Sequence, residues 1–186
     1  EPNWVEGGIN LRAWDEENAA GAYIDIADAR IFGSNWYGAT VGNSLPVLAR
    51  AVREHRRADA TNIMLLHADI EGQLNRPVQN ALPLSQMMKL RDAVDYLALG
   101  HTHKRFEIDA WAFNPGSLEA CSVDEADTPR GAFLIETDGP KITSEILPAG
   151  EAYYQRVFKR IEHKISGSEN PDEIRHQIFS TLRRAC

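Results

Sequence analysis

Two short apolar runs, each followed by histidine, limit most strongly what this chain can fold into. Residues 63–66 read Ile-Met-Leu-Leu and precede His67, and the largely apolar residues 94–99 precede a Gly-His-Thr-His loop. Such runs are typical of strands that are covered on both faces in an α/β sheet. Because ligand-bearing loops leave such strands at their carboxyl ends, the pattern predicts that His67, His101 and His103 occupy functional strand ends.

The elements around these runs predict an α/β fold. We expect paired strands at Tyr23 to Ile26 and Ala29 to Phe32, a helix capped by Ser44 that runs to about Arg57, and a short helix at Ser85 to Ala93. A period of two then predicts strands at Arg105 to Asp109, Ala110 to Phe113, Gly131 to Thr137 and Lys141 to Leu147, with a hairpin at Asp138-Gly139. A helix-and-strand region followed by antiparallel strands indicates a mixed-sheet sandwich flanked by helices.

The C-terminal region reads as a separate element. Residues 170–173, Asn-Pro-Asp-Glu, contain every signal of a helix start. An apolar stripe at helical spacing follows from Ile174 to Leu182. We therefore divide the chain into a main domain at 1–149 and a second region at 150–186.

Composition argues against a general nucleic-acid-binding surface. The formal net charge is −7 and the pI is near 5.4, so no overall positive field draws the chain onto phosphates. Any affinity for nucleic acid must therefore be local. Arg50, Arg53, Arg56 and Arg57 form a basic stretch on the first predicted helix, which we interpret as a solvated face rather than a phosphate-binding surface.

The sequence carries no recognisable targeting or anchoring segment. Its apolar runs are far shorter than the roughly 20 residues needed to span a bilayer. Its start lacks the charged region, apolar stretch and small-residue cleavage site of a secretory signal. Cys121 and Cys186 indicate neither a disulfide framework nor a metal knuckle. We expect a cytoplasmic protein without membrane contact.

The three histidines at strand ends are candidate metal ligands. Imidazole is the commonest protein ligand for divalent transition metals, and a tight loop holds it rigidly while leaving coordination positions open. His101 and His103 are two residues apart and point different ways, so they fit two metals better than one. The alternative is that both are ordinary polar loop residues, and His67 alone would more often be a hydrogen-bonded residue at a strand end. The remaining histidines are interpreted as surface residues: His55, His163 and His176.

Three sequence blocks carry a resemblance to a known superfamily. They are Leu65-Leu66-His67, residues 95–104 (Asp-Tyr-Leu-Ala-Leu-Gly-His-Thr-His-Lys) and residues 114–119 (Asn-Pro-Gly-Ser-Leu-Glu). Between about residues 60 and 120 the chain resembles the second half of a calcineurin-like metallophosphoesterase. The Asp-Tyr, Gly-His-x-His-Lys and Pro-Gly-Ser-Leu-Glu motifs are most similar to its SbcD-type branch of DNA double-strand-break-repair nucleases.

The resemblance implies a metallophosphoesterase-type sandwich with a two-metal site. His67 and His101 would bind one ion and His103 the other. The ions are manganese in the nuclease branch, with iron and zinc as alternatives. Asp69 and Asn114 would orient imidazole rings by hydrogen bonding. In such enzymes two ions about 3.5–4 Å apart assist in-line attack on a phosphodiester.

The resemblance also implies partners. The nuclease branch acts on DNA as an exonuclease or endonuclease and works as a homodimer with an SbcC-type ATPase. Residues 150–186 would then begin a capping or partner-docking region. Two alternatives stay open: a phosphodiesterase or phosphatase of the same fold that acts on small phosphate esters, and a truncated module that serves assembly without catalysis.

Three motifs of the family are absent from the sequence, namely Asp-x-His, Gly-Asp-x-x-Asp and Gly-Asn-His followed by an acidic residue. They would supply a bridging aspartate, an asparagine ligand and the histidine that protonates the leaving group, so we assign no catalytic residue in this chain. Gly42-Asn43-Ser44 lacks the catalytic histidine and is interpreted as a turn with a helix cap. Since the chain also opens without methionine, we expect it to be a fragment of a longer enzyme.

Overall fold

The computed structural model describes residues 23–34, 36–74, 80–138, 141–148 and 162–185. The chain divides into two compact units, residues 1–155 and 156–186. The domain boundary predicted at 149/150 lies outside the described residues.

In the first unit the described elements are, in chain order, β1 (Tyr23–Ile26), β2 (Ala29–Gly33), α1 (Val41–His55), β3 (Thr61–His67), α2 (Leu84–Met87), β4 (Tyr96–Gly100), β5 (Phe106–Ile108), β6 (Ala112–Asn114), β7 (Gly131–Asp138) and β8 (Lys141–Pro148). Short 3₁₀ turns lie at Gly38–Thr40, Met88–Leu90 and Val123–Glu125. In the second unit the described helix is α3 (Pro171–Ala185).

Strands β1 to β6 form one mixed sheet in the order β1-β2-β3-β4-β6-β5. β2, β3, β4 and β6 run parallel to one another. β1 and β5 are the outermost strands of this sheet, and each pairs antiparallel with its neighbour. The predicted pairing of the first two strands is confirmed, with Tyr23 opposite Phe32. β7 and β8 form the predicted antiparallel pair, with Asp138 opposite Lys141, although Gly139 of the predicted turn lies outside the described residues. The protein is therefore mixed α/β.

The two apolar runs that open the sequence argument lie side by side in the sheet. β3 and β4 are parallel neighbours, with Ile63 opposite Tyr96 and His67 opposite Gly100. Both histidine-bearing loops therefore leave the sheet where its parallel strands end. We call this side of the sheet the carboxyl-terminal edge, and the side where the parallel strands begin the amino-terminal edge.

Helix α1 packs its apolar stripe into the core. Leu45, Leu48 and Val52 are at most 2% exposed and belong to one buried cluster with Met64 and Leu97. Burying an aliphatic side chain of this size stabilises a fold by about 1.5–3 kcal/mol. This packing fixes the sheet, and with it the ends of β3 and β4.

The two faces of β3 are covered to different extents. Met64 and Leu66 are buried, whereas Leu65 is 48% exposed. The prediction that this strand is covered on both faces is therefore wrong within the described part of the chain. The run is continuous in sequence, but successive side chains point to opposite faces and only one set meets the core cluster. Phe113 of β6 contacts Phe133 of β7 at 5.2 Å between ring centroids, so the β7–β8 hairpin covers part of the other face.

Helix α1 begins and ends earlier than predicted. It starts at Val41 because the 3₁₀ turn Gly38–Thr40 runs directly into it, and Ser44 consequently lies inside the helix rather than capping it. It ends at His55 because Arg56 adopts an extended backbone.

Paired arginines and carboxylates hold the amino-terminal edge of the sheet. Arg30 donates two hydrogen bonds of 2.8 Å to Asp25, and these lower the pKa of Asp25 to about 2. Arg57 lies 3.4 Å from the same carboxylate and 3.1 Å from Asp59. These two arginines and two carboxylates therefore neutralise one another within the chain.

The basic stretch of α1 has carboxylate partners of its own. Arg53 lies 2.7 Å from Asp92, and Arg56 lies 3.2 Å from Asp95. Both pairs are solvent-accessible, so each contributes little to stability. The contacts favour the predicted solvated face over a surface reserved for phosphate.

Asn62 is a buried polar residue of this edge and is 0% exposed. Its side-chain oxygen accepts a 2.9 Å hydrogen bond from the backbone N–H of Arg57, and its amide nitrogen donates to the Ala60 carbonyl at 3.0 Å. Its backbone N–H donates to the Asp95 carboxylate at 2.8 Å. Since an unsatisfied buried amide is costly, these bonds link the segments before β3 and β4 firmly.

The predicted start of α3 is confirmed in detail. The Asn170 side-chain oxygen accepts hydrogen bonds of 3.0 Å from the backbone N–H groups of Asp172 and Glu173. The Glu173 carboxylate in turn accepts a 3.0 Å bond from the backbone N–H of Asn170, which completes a capping box. Among the described helices, none is both long enough and apolar enough to cross a membrane.

Candidate metal centre

His67 and His101 meet at the carboxyl ends of β3 and β4. His67 is the last residue of β3 and lies opposite Gly100. A Cβ at Gly100 would lie 3.2 Å from the His67 Nδ1, so glycine leaves the imidazole room across the strand end. His101 has a φ of +92°, a left-handed conformation that is uncommon for a residue with a side chain. Such strain is characteristic of functional sites.

The two imidazoles face each other through their ring nitrogens. His101 Nδ1 lies 2.9 Å from His67 Nε2, and the ring centroids are 4.8 Å apart at 70°. At this distance one neutral imidazole can donate an N–H···N hydrogen bond to the other. In the other tautomer of the donor ring, both nitrogens would present lone pairs that could bind one cation. Burial, together with repulsion from His101, lowers the pKa of His67. The neutral ring favoured by that shift is the form that ligates a metal.

Asp69 lies on the far side of the His101 ring. Its carboxylate is 3.4 Å from His101 Nε2 and accepts a 2.9 Å hydrogen bond from the buried Thr102 hydroxyl. A carboxylate beside the second ring nitrogen is the arrangement by which proteins orient metal-binding histidines. Asp69 therefore lies near the His101 ring, and its expected role in orienting that ring stays a prediction.

Asn114 has a different role from the one expected. Its side-chain nitrogen donates hydrogen bonds of 2.7 Å to the backbone carbonyls of Thr102 and Lys104. It therefore holds the backbone of the loop that carries His101 and His103, rather than an imidazole ring. The reason is positional, because β6 lies beside β4 and brings Asn114 under that loop.

Trp36 is a site residue that the sequence did not indicate. Its ring stacks on His101 at 6.0 Å and 29°, and meets His67 edge-on at 6.4 Å. It is 66% exposed, so a large apolar ring lies at the surface beside two imidazoles. Because β2 is a parallel neighbour of β3, the loop after β2 leaves the same edge. That adjacency was the available signal, but the scattered tryptophans of the sequence did not reveal it.

His103 faces a different set of partners. Its Nδ1 lies 3.0 Å from Glu125 Oε1, whereas the ring-nitrogen contact of His67 is with His101. Cys121 also lies near, and ligand atoms of His103, Cys121 and Glu125 fall within 4.8 Å of one another. The structure thus brings two of the three predicted ligands together and places the third beside two residues that no motif indicated. The assignment of the three to metals stays a prediction.

The Pro-Gly-Ser block supports the His103 loop through its backbone. Gly116 has a φ of +75°, and a Cβ there would lie 2.5 Å from the His103 carbonyl oxygen. Ser117 donates its backbone N–H to the same carbonyl at 3.1 Å. Arg130 is 7% exposed and donates to the Ser117 hydroxyl and the Glu125 carbonyl, each at 2.6 Å. These bonds clamp the loop bearing Glu125 against the loop bearing His103.

Glu125 is held as an anion. Burial opposes its ionisation, but hydrogen bonds from the Cys121 backbone N–H and the His103 ring outweigh that effect and lower the pKa of Glu125. Arg130 adds a contact of 3.5 Å to Glu125 Oε2. A charged carboxylate therefore points at an imidazole in a partly exposed loop.

No protein-family model matches this chain, and a search of curated proteins returned no match. The family likeness rests on the sequence motifs and stays a prediction.

Proposed function

We propose that this chain carries part of a divalent-metal phosphodiesterase site, of the calcineurin-like type and its SbcD-type DNA-repair nuclease branch. The observation that carries the proposal is the contact of 2.9 Å between His67 Nε2 and His101 Nδ1 at adjacent strand ends. The fold supports it, because a mixed sheet with a hairpin against one face and helix α1 on the other is compatible with a sandwich flanked by helices.

The donor set suits a transition-metal ion. His67 and His101 would hold one divalent cation and His103 a second. The family likeness makes manganese the first choice, and iron and zinc, which imidazole nitrogen suits well, are the alternatives. When bound, such ions would polarise a phosphoryl oxygen and make water a better nucleophile at neutral pH. The chain's own part is positional: Asp69 orients His101, and Trp36 limits one side of the ring pair.

Duplex DNA is the proposed substrate, with the positive charge for it supplied locally. Lys104 and Arg105 follow His103 directly, whereas the arginines of α1 pair with carboxylates at the opposite edge. A homodimer and an SbcC-type ATPase remain proposed partners on the strength of the family likeness.

The test compares hydrolysis of linear duplex DNA and of bis(nitrophenyl) phosphate, with and without added Mn²⁺. In a protein that also supplies the three absent motifs, we expect Mn²⁺-dependent cleavage that His101→Ala abolishes, whereas His176→Ala, an exposed histidine of α3, leaves it unchanged. Cleavage of bis(nitrophenyl) phosphate but not of duplex DNA would favour the family branches that act on small phosphate esters over the nuclease branch. Equal cleavage by His101→Ala and His176→Ala would contradict a histidine-held metal.

A further inference from the structure

We propose that His103, Cys121 and Glu125 form a three-donor cation site that selects a thiophilic divalent ion, such as Zn²⁺ or Co²⁺, over Mn²⁺. The inference deepens the proposed function by naming the ligands that join His103, and at that one position it replaces manganese with a thiophilic ion. Its catalytic meaning rests on that function, but the cation site is tested separately below.

The geometry brings three different donor atoms together. His103 Nδ1 and Glu125 Oε1 are 3.0 Å apart, and all three ligand atoms lie within 4.8 Å of one another. Tetrahedral zinc places nitrogen, oxygen and sulfur ligands about 3.4–3.6 Å apart. Rotation of the exposed Cys121 and His103 side chains can bring the three ligand atoms to these separations without movement of the backbone.

Hydrogen bonds within the chain already hold the Glu125 carboxylate next to His103. Glu125 Oε2 accepts a 3.0 Å hydrogen bond from the Cys121 backbone N–H and lies 3.5 Å from Arg130, which leaves Oε1 turned towards His103. The buried Arg130 also ties the Glu125 carbonyl to Ser117, whose backbone N–H holds the His103 carbonyl. The donors from two separate loops are therefore fixed relative to each other.

The donor chemistry determines which ion fits. Thiolate is a soft ligand that favours zinc and cobalt, whereas manganese and magnesium prefer oxygen donors. Three protein ligands also leave a fourth tetrahedral position open, which is the composition of catalytic rather than structural zinc sites. The two sites proposed for this edge would thus differ in ion preference, because the pair His67 and His101 has no sulfur partner among its contacts in the described residues.

A simpler interpretation gives Glu125 the task of orienting the His103 ring while Cys121 takes no part. The two interpretations differ at the sulfur atom. A thiolate bound to Co²⁺ produces a charge-transfer absorption in the near ultraviolet that nitrogen and oxygen ligands do not produce. The experiment is therefore a Co²⁺ titration of the whole chain under reducing conditions.

We expect the wild-type chain to develop this absorption and Cys121→Ser to lose it, while Cys186→Ser keeps it as the matched control. The double variant His67→Ala/His101→Ala should also keep it. Absence of the band from the wild type, or its persistence in Cys121→Ser, would overturn the proposal. Circular dichroism of each variant checks that the fold is retained.

A second measurement tests the carboxylate. Zn²⁺ affinity, measured by competition with a chelating dye, should fall at least about tenfold in Glu125→Gln. Unchanged Zn²⁺ affinity in Glu125→Gln would overturn the three-ligand assignment. If the cobalt band appears but the enzyme cleaves no phosphodiester, the proposed function fails and the cation site stands. If phosphodiester cleavage occurs but the cobalt band does not appear, the three-donor cation site fails and the proposed function stands.

Discussion

The two edges of the central sheet use polar residues in opposite ways. At the amino-terminal edge, opposite charges pair: Arg30 with Asp25, and Arg57 with Asp25 and Asp59. At the carboxyl-terminal edge, like groups meet, because the imidazoles of His67 and His101 face each other through their nitrogens. The amino-terminal edge pairs opposite charges, whereas the carboxyl-terminal edge also brings two imidazole nitrogens together beside the carboxylate of Asp69. The comparison separates polar residues that pair within the fold from polar residues that we propose as metal ligands.

Breaking the amino-terminal edge at its buried centre should have the largest effect. We expect Asn62→Ala to lower the free energy of unfolding by about 2–4 kcal/mol. The change removes the side-chain partner of the Arg57 N–H and the Ala60 carbonyl, and a 2.9 Å hydrogen bond from the Asn62 side-chain nitrogen to Asp95. Urea denaturation measures the change, and Asn43→Ala, at an exposed position of α1, is the control. Metal bound per folded molecule should not change. A loss of metal affinity in Asn62→Ala that matches its loss of stability would mean that the two edges are not separate.

Asp69 tests the carboxyl-terminal edge without removing a ligand. In Asp69→Asn we expect Mn²⁺ affinity to fall by about 10–100-fold, because the carboxylate beside His101 Nε2 is lost, while the urea midpoint changes little. Asp28→Asn, at the turn between β1 and β2, is the matched carboxylate at the other edge. Comparable Mn²⁺ affinity in the two variants would remove Asp69 from the site.

Trp36 should have a smaller influence on the same ion. Aromatic contacts of this type contribute about 0.5–1.5 kcal/mol, so Trp36→Ala should weaken Mn²⁺ binding by roughly two- to tenfold through a less ordered His101 ring. Trp36→Phe, which keeps a ring over His101, should recover most of the affinity. Calorimetric titration measures both, and an unchanged affinity in Trp36→Ala would show that the stacking has no effect on the site.

The smallest expected effect is acid sensitivity at the amino-terminal edge. The pKa of Asp25 is lowered to about 2 by its hydrogen bonds to Arg30, so its stabilising contribution is present above the ordinary pKa of 3.8 and disappears as pH falls towards 2. Asp25→Asn should therefore lower the Tm slightly at pH 5 and converge with the wild type near pH 2. A Tm difference that stays constant across this range would contradict the ion-pair explanation.

Local signals accounted for what the sequence predicted well. The pairing of β1 with β2, the histidine that ends β3 and the capping box at Asn170 all depend on neighbours within a few residues. The coverage of β3 depends on packing, and an unbroken apolar run did not reveal that Leu65 is half exposed. Periodicity cannot distinguish the two faces when both carry apolar residues.

The missed residues of the site reach it through loops. Trp36 follows β2, and Glu125 lies 22 residues after His103, so neither has a fixed spacing from the ligand it contacts. Their positions depend on strand order and on the clamp formed by Arg130, which are tertiary features. The motifs therefore indicated the three histidines, but not Trp36, Cys121 and Glu125, which lie beside them.

The central claim is that His67 and His101 hold one divalent cation between them. Equilibrium dialysis against Mn²⁺ tests it on the wild type, on His67→Ala/His101→Ala and on the matched double variant His163→Ala/His176→Ala. The predicted result is that the first double variant binds one Mn²⁺ fewer per chain, while the second binds as the wild type does. Equal Mn²⁺ binding by all three proteins would contradict the claim.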